Sequence, residues 1–293
     1  MAKSKLTVRE FFDRFPTEEA CLEHVMKVRY GLRRVCDKCK IEATFHRLGK
    51  RPAYSCAVCG AHVYPCAGTV LQDTRTPLQM WFYAIYLFVV TRHGVSGKEL
   101  ERQLGVTYKT AWRMGQQIRK HICTLQDFSP LQGHIEIDEA YVGGVRRGGK
   151  RGRGAPGKTV VIGLKERGGR MVAETALDST TPSLRAKVEQ HVEPGSKIST
   201  DEYVAYSLLN REGFDHRTVK HKYGEYARRD RMTGELISVN AVENFWKLFK
   251  DSVRSTHIHV SGKYMDRYLG EFTFRANRRE MGNAMFDLLV AAF

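Results

Sequence analysis

Ile135-Glu-Ile-Asp-Glu-Ala-Tyr141 alternates isoleucine with carboxylate, and the two-residue period of a β-strand puts Glu136 and Asp138 on one face. Ser199-Thr-Asp201 ends a second β-prone stretch with a carboxylate. Glu243 lies 42 residues beyond Asp201, near the start of an expected helix and beside Phe245 and Trp246. Taken singly, each acid is most simply a solvated surface charge. Together, two strand ends and a helix offer converging carboxylates. Phosphoryl transfer needs these to hold two divalent cations ~3.5–4 Å apart, one activating the nucleophile and one stabilising the leaving oxygen. Asp138, Asp201 and Glu243 are therefore the candidate catalytic and metal-binding residues, with Mg2+ or Mn2+, two per site, as the expected cofactor. Glu139 and Glu202 are the neighbours most easily mistaken for them.

Around these acids the pattern is mixed. His134–Val142, Thr159–Glu166 and residues 171–177 read as three consecutive strands, followed by a helix over 184–191 and a strand at Lys197–Thr200. Another strand near 216–219 and a helix from about Asn240 to Val253 complete an αβ catalytic domain covering 133–293. Between the first two strands, residues 146–158 set six cations among glycines, too polar to pack. A basic loop is expected there, with Arg146, Arg147, Lys150, Arg151 and Arg153 tracking backbone phosphates; a plain solvated linker is the alternative.

The N-terminal half reads differently. Residues 1–30 carry apolar positions at helical spacing, with a break at Pro16 and a new helix start at Thr17. Residues 31–70 are short β-prone pieces with too little apolar material for an unaided core. Within them, Cys36-Asp-Lys-Cys39 and Cys56-Ala-Val-Cys59 stand sixteen residues apart, a spacing at which two knuckles place four thiolates tetrahedrally around zinc. One structural Zn2+ on Cys36, Cys39, Cys56 and Cys59 is expected. Four unconnected cysteines, a redox pair, or replacement of one ligand by His46 or His62 are the weaker readings. Cys21, Cys66 and Cys123 fall outside the pattern and read as small buried hydrophobes.

Residues 77–125 are helical in pattern. An apolar helix begins at Leu78, Ser96-Gly-Lys-Glu-Leu-Glu-Arg-Gln-Leu104 reads as a short helix, Gly105 breaks it, and an amphipathic stretch starts at Thr107. This fits a helix-turn-helix, with Tyr108, Lys109, Arg113 and Gln117 exposed toward DNA and Val106, Ala111, Met114 and Ile118 facing inward. A helical hairpin with a solvated charged face would show the same pattern. The charge weighs for DNA: 48 Lys and Arg against 32 Asp and Glu leave a formal +16. RNA or an anionic membrane surface would satisfy charge alone. The longest apolar run, residues 80–90, is far short of the ~20 residues that span a bilayer. The N-terminus lacks a hydrophobic signal core, so no membrane association or export is expected.

The chain resembles the IS1595-type (ISXO2-like) insertion-sequence transposases. The likeness rests on Ile135-Glu-Ile-Asp-Glu-Ala-Tyr-Val-Gly-Gly144, on Asp201 with Tyr203 and Tyr206, and on Val239-Asn-Ala-Val-Glu-Asn-Phe-Trp-Lys-Leu-Phe-Lys250. Val95-Ser-Gly-Lys-Glu-Leu100, the cysteine pairs and Arg267-Tyr-Leu-Gly-Glu-Phe-Thr-Phe-Arg-Ala-Asn-Arg-Arg279 extend it over nearly the whole chain. The resemblance implies an α+β multidomain protein: zinc ribbon, helix-turn-helix and a ribonuclease H-like mixed-sheet domain. It makes Asp138, Asp201 and Glu243 the metal-binding triad and Lys250, two helical turns after Glu243, a DNA-contacting lysine. Asn240, three residues before Glu243 on the same face, competes for the third position; the Glu-Asn-Phe-Trp run and the spacing to Lys250 favour Glu243.

The implied activity is binding of terminal inverted repeats by a homodimer or higher oligomer, metal-dependent strand cleavage, and attack of the freed 3′-hydroxyl on target DNA. The expected partners are thus double-stranded transposon ends and target, and the expected location is the cytoplasm, at the nucleoid. A non-catalytic DNA-binding regulator and a structure-specific nuclease of the same fold are the rivals.

Overall fold

The computed structural model describes residues 6–143 and 157–293. Of the basic loop, Arg146, Arg147, Lys150, Arg151 and Arg153 lie outside the described residues. The chain divides into two compact units, Met1–Thr124 with Arg278–Phe293, and Leu125–Asn277.

In the first unit, Thr7 opens helix α1 (Val8–Arg14) in a reciprocal cap with Glu10, and Thr17 caps α2 (Glu18–Arg29). Strands β1 (Arg33–Val35), β2 (Glu42–Arg47), β3 (Tyr54–Cys56) and β4 (His62–Val63) form an antiparallel sheet in sequence order. Helices α3 (Leu78–Val90), α4 (Gly97–Leu104) and α5 (Tyr108–Thr124) follow, α4 capped by Ser96 and closed at Gly105.

The C-terminal helix Ala284–Ala291 also belongs to this unit, although the sequence pattern suggested a catalytic domain running to residue 293. Its apolar face has its partners here. The Phe286 ring lies 5.3 Å from that of Phe15 and 5.7 Å from that of Phe82. Asp287 Oδ1 accepts from Arg14 Nη2 at 2.7 Å and lies 3.0 Å from His24 Nε2.

The second unit is built on a five-stranded sheet of β5 (His134–Val142), β6 (Thr159–Glu166), β7 (Met171–Ala176), β8 (Lys197–Thr200) and β9 (Asp215–Thr218). Helix α6 (Thr181–His191) connects β7 to β8. The order across the sheet is β7-β6-β5-β8-β9; β5, β6 and β7 are antiparallel, while β8 and β9 run parallel to β5. A small hairpin of β10 (Ala227–Arg229) and β11 (Leu236–Ser238) leads into α7 (Asn240–Ser252), and α8 (Met265–Arg278) follows.

Alternation along β5 divides the core. Ala140 and Val142 pack with Val242, Trp246 and Phe249 of α7 and with Phe272 of α8. Ile135 and Ile137 pack with Leu184 and Val188 of α6 on the opposite face. Mid-strand Gly163 lets α7 come this close: a Cβ there would stand 2.6 Å from Trp246 Cζ2 and 2.9 Å from Val242 Cγ2. Among the described residues no helix is long and apolar enough to cross a membrane.

Candidate active site and zinc site

Glu136 of β5 pairs in register with Ser199 of β8, so two residues further along Asp138 comes level with Asp201, just past the end of β8. On its other side Asp138 faces Gly163 of β6. Glu136 is buried, and its carboxylate accepts from Arg167 Nη2 at 3.1 Å, Ser238 Oγ at 3.1 Å and the Ala241 amide at 2.8 Å. It therefore ties the first turn of α7 to the strand two residues before Asp138, where an anion also suits the helix dipole. Glu243 sits in that first turn and Lys250 two turns on.

The electrostatics register this convergence. Burial, followed by the charges of Glu139, Asp201 and Glu243, pushes the Asp138 carboxyl up to about 8, against the pull of Lys250. Burial lowers the Lys250 ammonium from its ordinary value, opposed by Asp138 and reinforced by Arg254 and Lys158. Asp201 Oδ1 accepts from the Tyr203 amide at 2.9 Å. Glu243 Oε1 lies 3.4 Å from His221 Nδ1. Clustered carboxylate oxygens suit a hard divalent cation such as Mg2+.

The two neighbouring acids go elsewhere. Glu139 points to the opposite sheet face and accepts from Tyr206 Oη at 3.0 Å. Glu202 accepts from the amides of His221 and Lys222. Asn240 is exposed as the first residue of α7.

The four cysteines meet more tightly. Among the described residues, Cys36, Cys39, Cys56 and Cys59 are the one set of three or more such ligands whose donor atoms all lie within 4.8 Å of one another, so the three carboxylates stand wider apart. Both knuckles have the same backbone turn. The Lys40 amide donates to the Cys36 carbonyl at 2.9 Å and the Gly60 amide to the Cys56 carbonyl at 3.0 Å, with positive φ of 60° and 70° at these residues. Gly60 adopts that conformation freely, whereas Lys40 is held in it by the turn.

The Cys39 amide, and less strongly that of Lys38, holds the Cys36 thiol down at about 6. At Cys39 the Ile41 amide acts in the same sense, but burial and the thiols of Cys59, Cys36 and Cys56 outweigh it and raise Cys39 to about 11. One thiolate forms readily and the next is resisted, so the donor set fits Zn2+, whose charge would let all four ionise. His46 and His62 are exposed and outside the quartet. Cys21 is buried as expected; Cys66 and Cys123 are only partly so.

Two family models match the chain, an ISXO2-like transposase domain over residues 130–277 and a transposase zinc-ribbon domain over residues 16–62. The chain belongs to the ISXO2-like transposase family. The first match ends with the second compact unit of the transposase, and the second takes in all four cysteines. A comparison with curated proteins finds no match.

In the transposase α4 and α5 pack as a pair joined by a short turn. Tyr108, Lys109 and Arg113 are exposed and Gln117 is half-buried, while Ala111, Met114 and Ile118 are buried. Val106, expected inside, keeps partial exposure because it lies in the turn before α5 begins. Trp112, not singled out from sequence, is also exposed on this face. In the second unit His221, beside Glu243, was likewise not singled out. The sequence places Glu136 on the face of Asp138 and Lys158 at the end of the basic stretch without indicating the partners of either, and no local signal identifies His221.

Proposed function

We propose that this transposase binds terminal inverted repeats through its ribbon and the α4–α5 helix-turn-helix, and cuts and joins DNA at Asp138, Asp201 and Glu243 on a ribonuclease H-like sheet. The observation that carries the reading is the Asp138 carboxyl, raised to about 8 by burial and by a cluster that includes Asp201 and Glu243. The sheet order, three antiparallel strands followed by two parallel ones, supports the fold assignment.

Asp138 and Asp201 would hold divalent cations from adjacent strand ends, and Glu243 from α7. When bound, such ions polarise the reacting phosphate and stabilise the attacking and leaving oxygens. Glu136 fixes the first turn of α7, and His221 orients Glu243. Lys250 brings a cation to the phosphate beside Asp138. The exposed Lys109 and Arg113 would engage DNA with Tyr108 and Gln117. Strand joining at paired ends calls for a homodimer or higher oligomer, acting at the nucleoid.

The test is incubation with labelled transposon-end DNA and Mg2+, comparing wild type with Asp138→Ala and Asp201→Ala. Nicking and joining by wild type, with variants that bind but do neither, is expected. Tight binding without cleavage in Mg2+ or Mn2+ would replace the reading with a non-catalytic regulator, and cutting without joining with a nuclease.

A further inference from the structure

Lys220-His-Lys-Tyr-Gly-Glu-Tyr226 runs from the end of β9 to the start of β10. It is held at two points, its backbone by Glu202 and its His221 side chain beside Glu243. Glu202, the residue after Asp201, accepts from the His221 amide at 2.8 Å and the Lys222 amide at 2.9 Å. On the other side His221 Nδ1 lies 3.4 Å from Glu243 Oε1, and the His221 ring lies 5.1 Å from that of Tyr226. Three side chains of this anchored turn are nonetheless exposed. Tyr223 is 76% exposed and Tyr226 59% exposed, and Lys222, the residue before Tyr223, is exposed as well.

Two rings left in water on a fixed turn contribute little to a core. What they provide is a preorganised aromatic surface beside a phosphate-processing site. Stacking on an aromatic ring accepts any base, because every base has a π-face, but it requires the base to have left its duplex neighbours. A cation beside the rings offsets the repulsion between carboxylates and an incoming phosphate.

We propose that the 221–226 turn binds unpaired bases of the DNA strand flanking the reacting phosphate, with Tyr223 and Tyr226 stacking on the bases and Lys222 contacting the backbone. This rests on reading Asp138, Asp201 and Glu243 as the strand-cleavage site. Single-stranded DNA is the ligand class; duplex DNA would be held by charge alone and would not need the rings.

The experiment uses full-length Asp138→Ala protein, expected to bind without cutting, and end DNA carrying 2-aminopurine next to the scissile phosphate. One substrate has a short single-stranded flank and the other is fully paired. Quenching on the flanked substrate is expected, and Tyr223→Ala and Tyr226→Ala should each weaken its binding roughly tenfold and relieve the quench. Affinity for the paired duplex should stay within about twofold, and Tyr→Phe at either position should restore both signals, which a folding defect would not allow. Equal losses on both substrates, or no loss on either, would overturn the proposal. Wild-type cleavage in Mg2+ is scored separately. Cleavage with tyrosine-independent quenching sinks the stacking site alone, whereas tyrosine-dependent quenching without cleavage sinks the strand-cleavage reading and leaves the stacking site standing.

Discussion

Gly163→Ala tests whether the seat of α7 on the sheet sets the active site. The new methyl carbon would stand 2.6 Å from Trp246 Cζ2, 2.8 Å from Met171 Cε and 2.9 Å from Val242 Cγ2. Carbon atoms in contact prefer ~3.5–4.0 Å, so relief requires a shift of about 1 Å. Two of the three blocking atoms belong to α7 and flank Glu243, so the helix has to lift and carry that carboxylate with it. Overpacking of this kind costs about 1–3 kcal/mol. At roughly 2–4 °C per kcal/mol for a domain of this size, melting should fall by about 2–12 °C. A misplacement of about 1 Å at a catalytic group can cost ~100-fold in rate, so single-turnover cleavage should fall far more than stability. The assays are calorimetry and cleavage of labelled end DNA, with Gly163→Ala/Trp246→Phe as the partner variant. Removing the benzo ring makes room, so the double variant should recover part of both losses. A Gly163→Ala protein that melts lower but cleaves at the wild-type rate would refute the idea that α7 sets the site.

Other outcomes follow from the same geometry. Between an ordinary carboxylate pKa of ~3.9 and about 8, folded Asp138 keeps a proton that the unfolded chain has lost, so its contribution to stability declines as pH rises through that window and levels off above it. Denaturant titrations of metal-free protein should therefore show wild type losing stability relative to Asp138→Asn from pH 5 to pH 8; a constant difference would contradict the raised pKa. Elemental analysis should find one zinc per chain in wild type and Cys66→Ser but none in Cys56→Ser, whose amides over 31–66 should lose protection from hydrogen exchange. Lys109→Ala and Arg113→Ala should each weaken DNA binding and reduce the slope of log affinity against log salt by about 0.9 if each contacts one phosphate; an unchanged slope would remove them from the interface. Glu136→Ala leaves Arg167, Ser238 and the Ala241 amide without their acceptor and should cost roughly 1–3 kcal/mol, whereas Glu136→Gln should recover part of the loss in thermal melts.

The parts legible in the sequence are those written in local pattern. Alternation marked β5 and a short β-prone apolar run marked β6, both with their observed ends, and the repeated Cys-x-x-Cys spacing marked two turns that the structure forms with matching hydrogen bonds. The C-terminal helix was not legible in this way, because Met285, Phe286, Leu289 and Val290 show that a face is buried but not against which unit. The β10–β11 hairpin was missed because its strands are only three residues long, Ala-Arg-Arg and Leu-Ile-Ser, too short for an alternation to show. His221 gave no signal for a different reason. Its relation to Glu243 spans 22 residues and depends on Glu202 drawing the turn inward, a tertiary arrangement that spacing alone does not encode.

The return of Ala284–Ala291 to the first unit has a bearing on synthesis. A chain emerges from the ribosome N-terminus first, and domains generally fold as units in that order. Here the aromatic cluster of Phe11, Phe15 and Phe82 lacks Phe286 until the second unit has already emerged. The unit with the ribbon and the α4–α5 pair is therefore completed last, although it is started first. A message cut short anywhere in the second unit yields a fragment whose N-terminal core is still open, which favours its clearance over its persistence as a competitor for the DNA that intact chains bind.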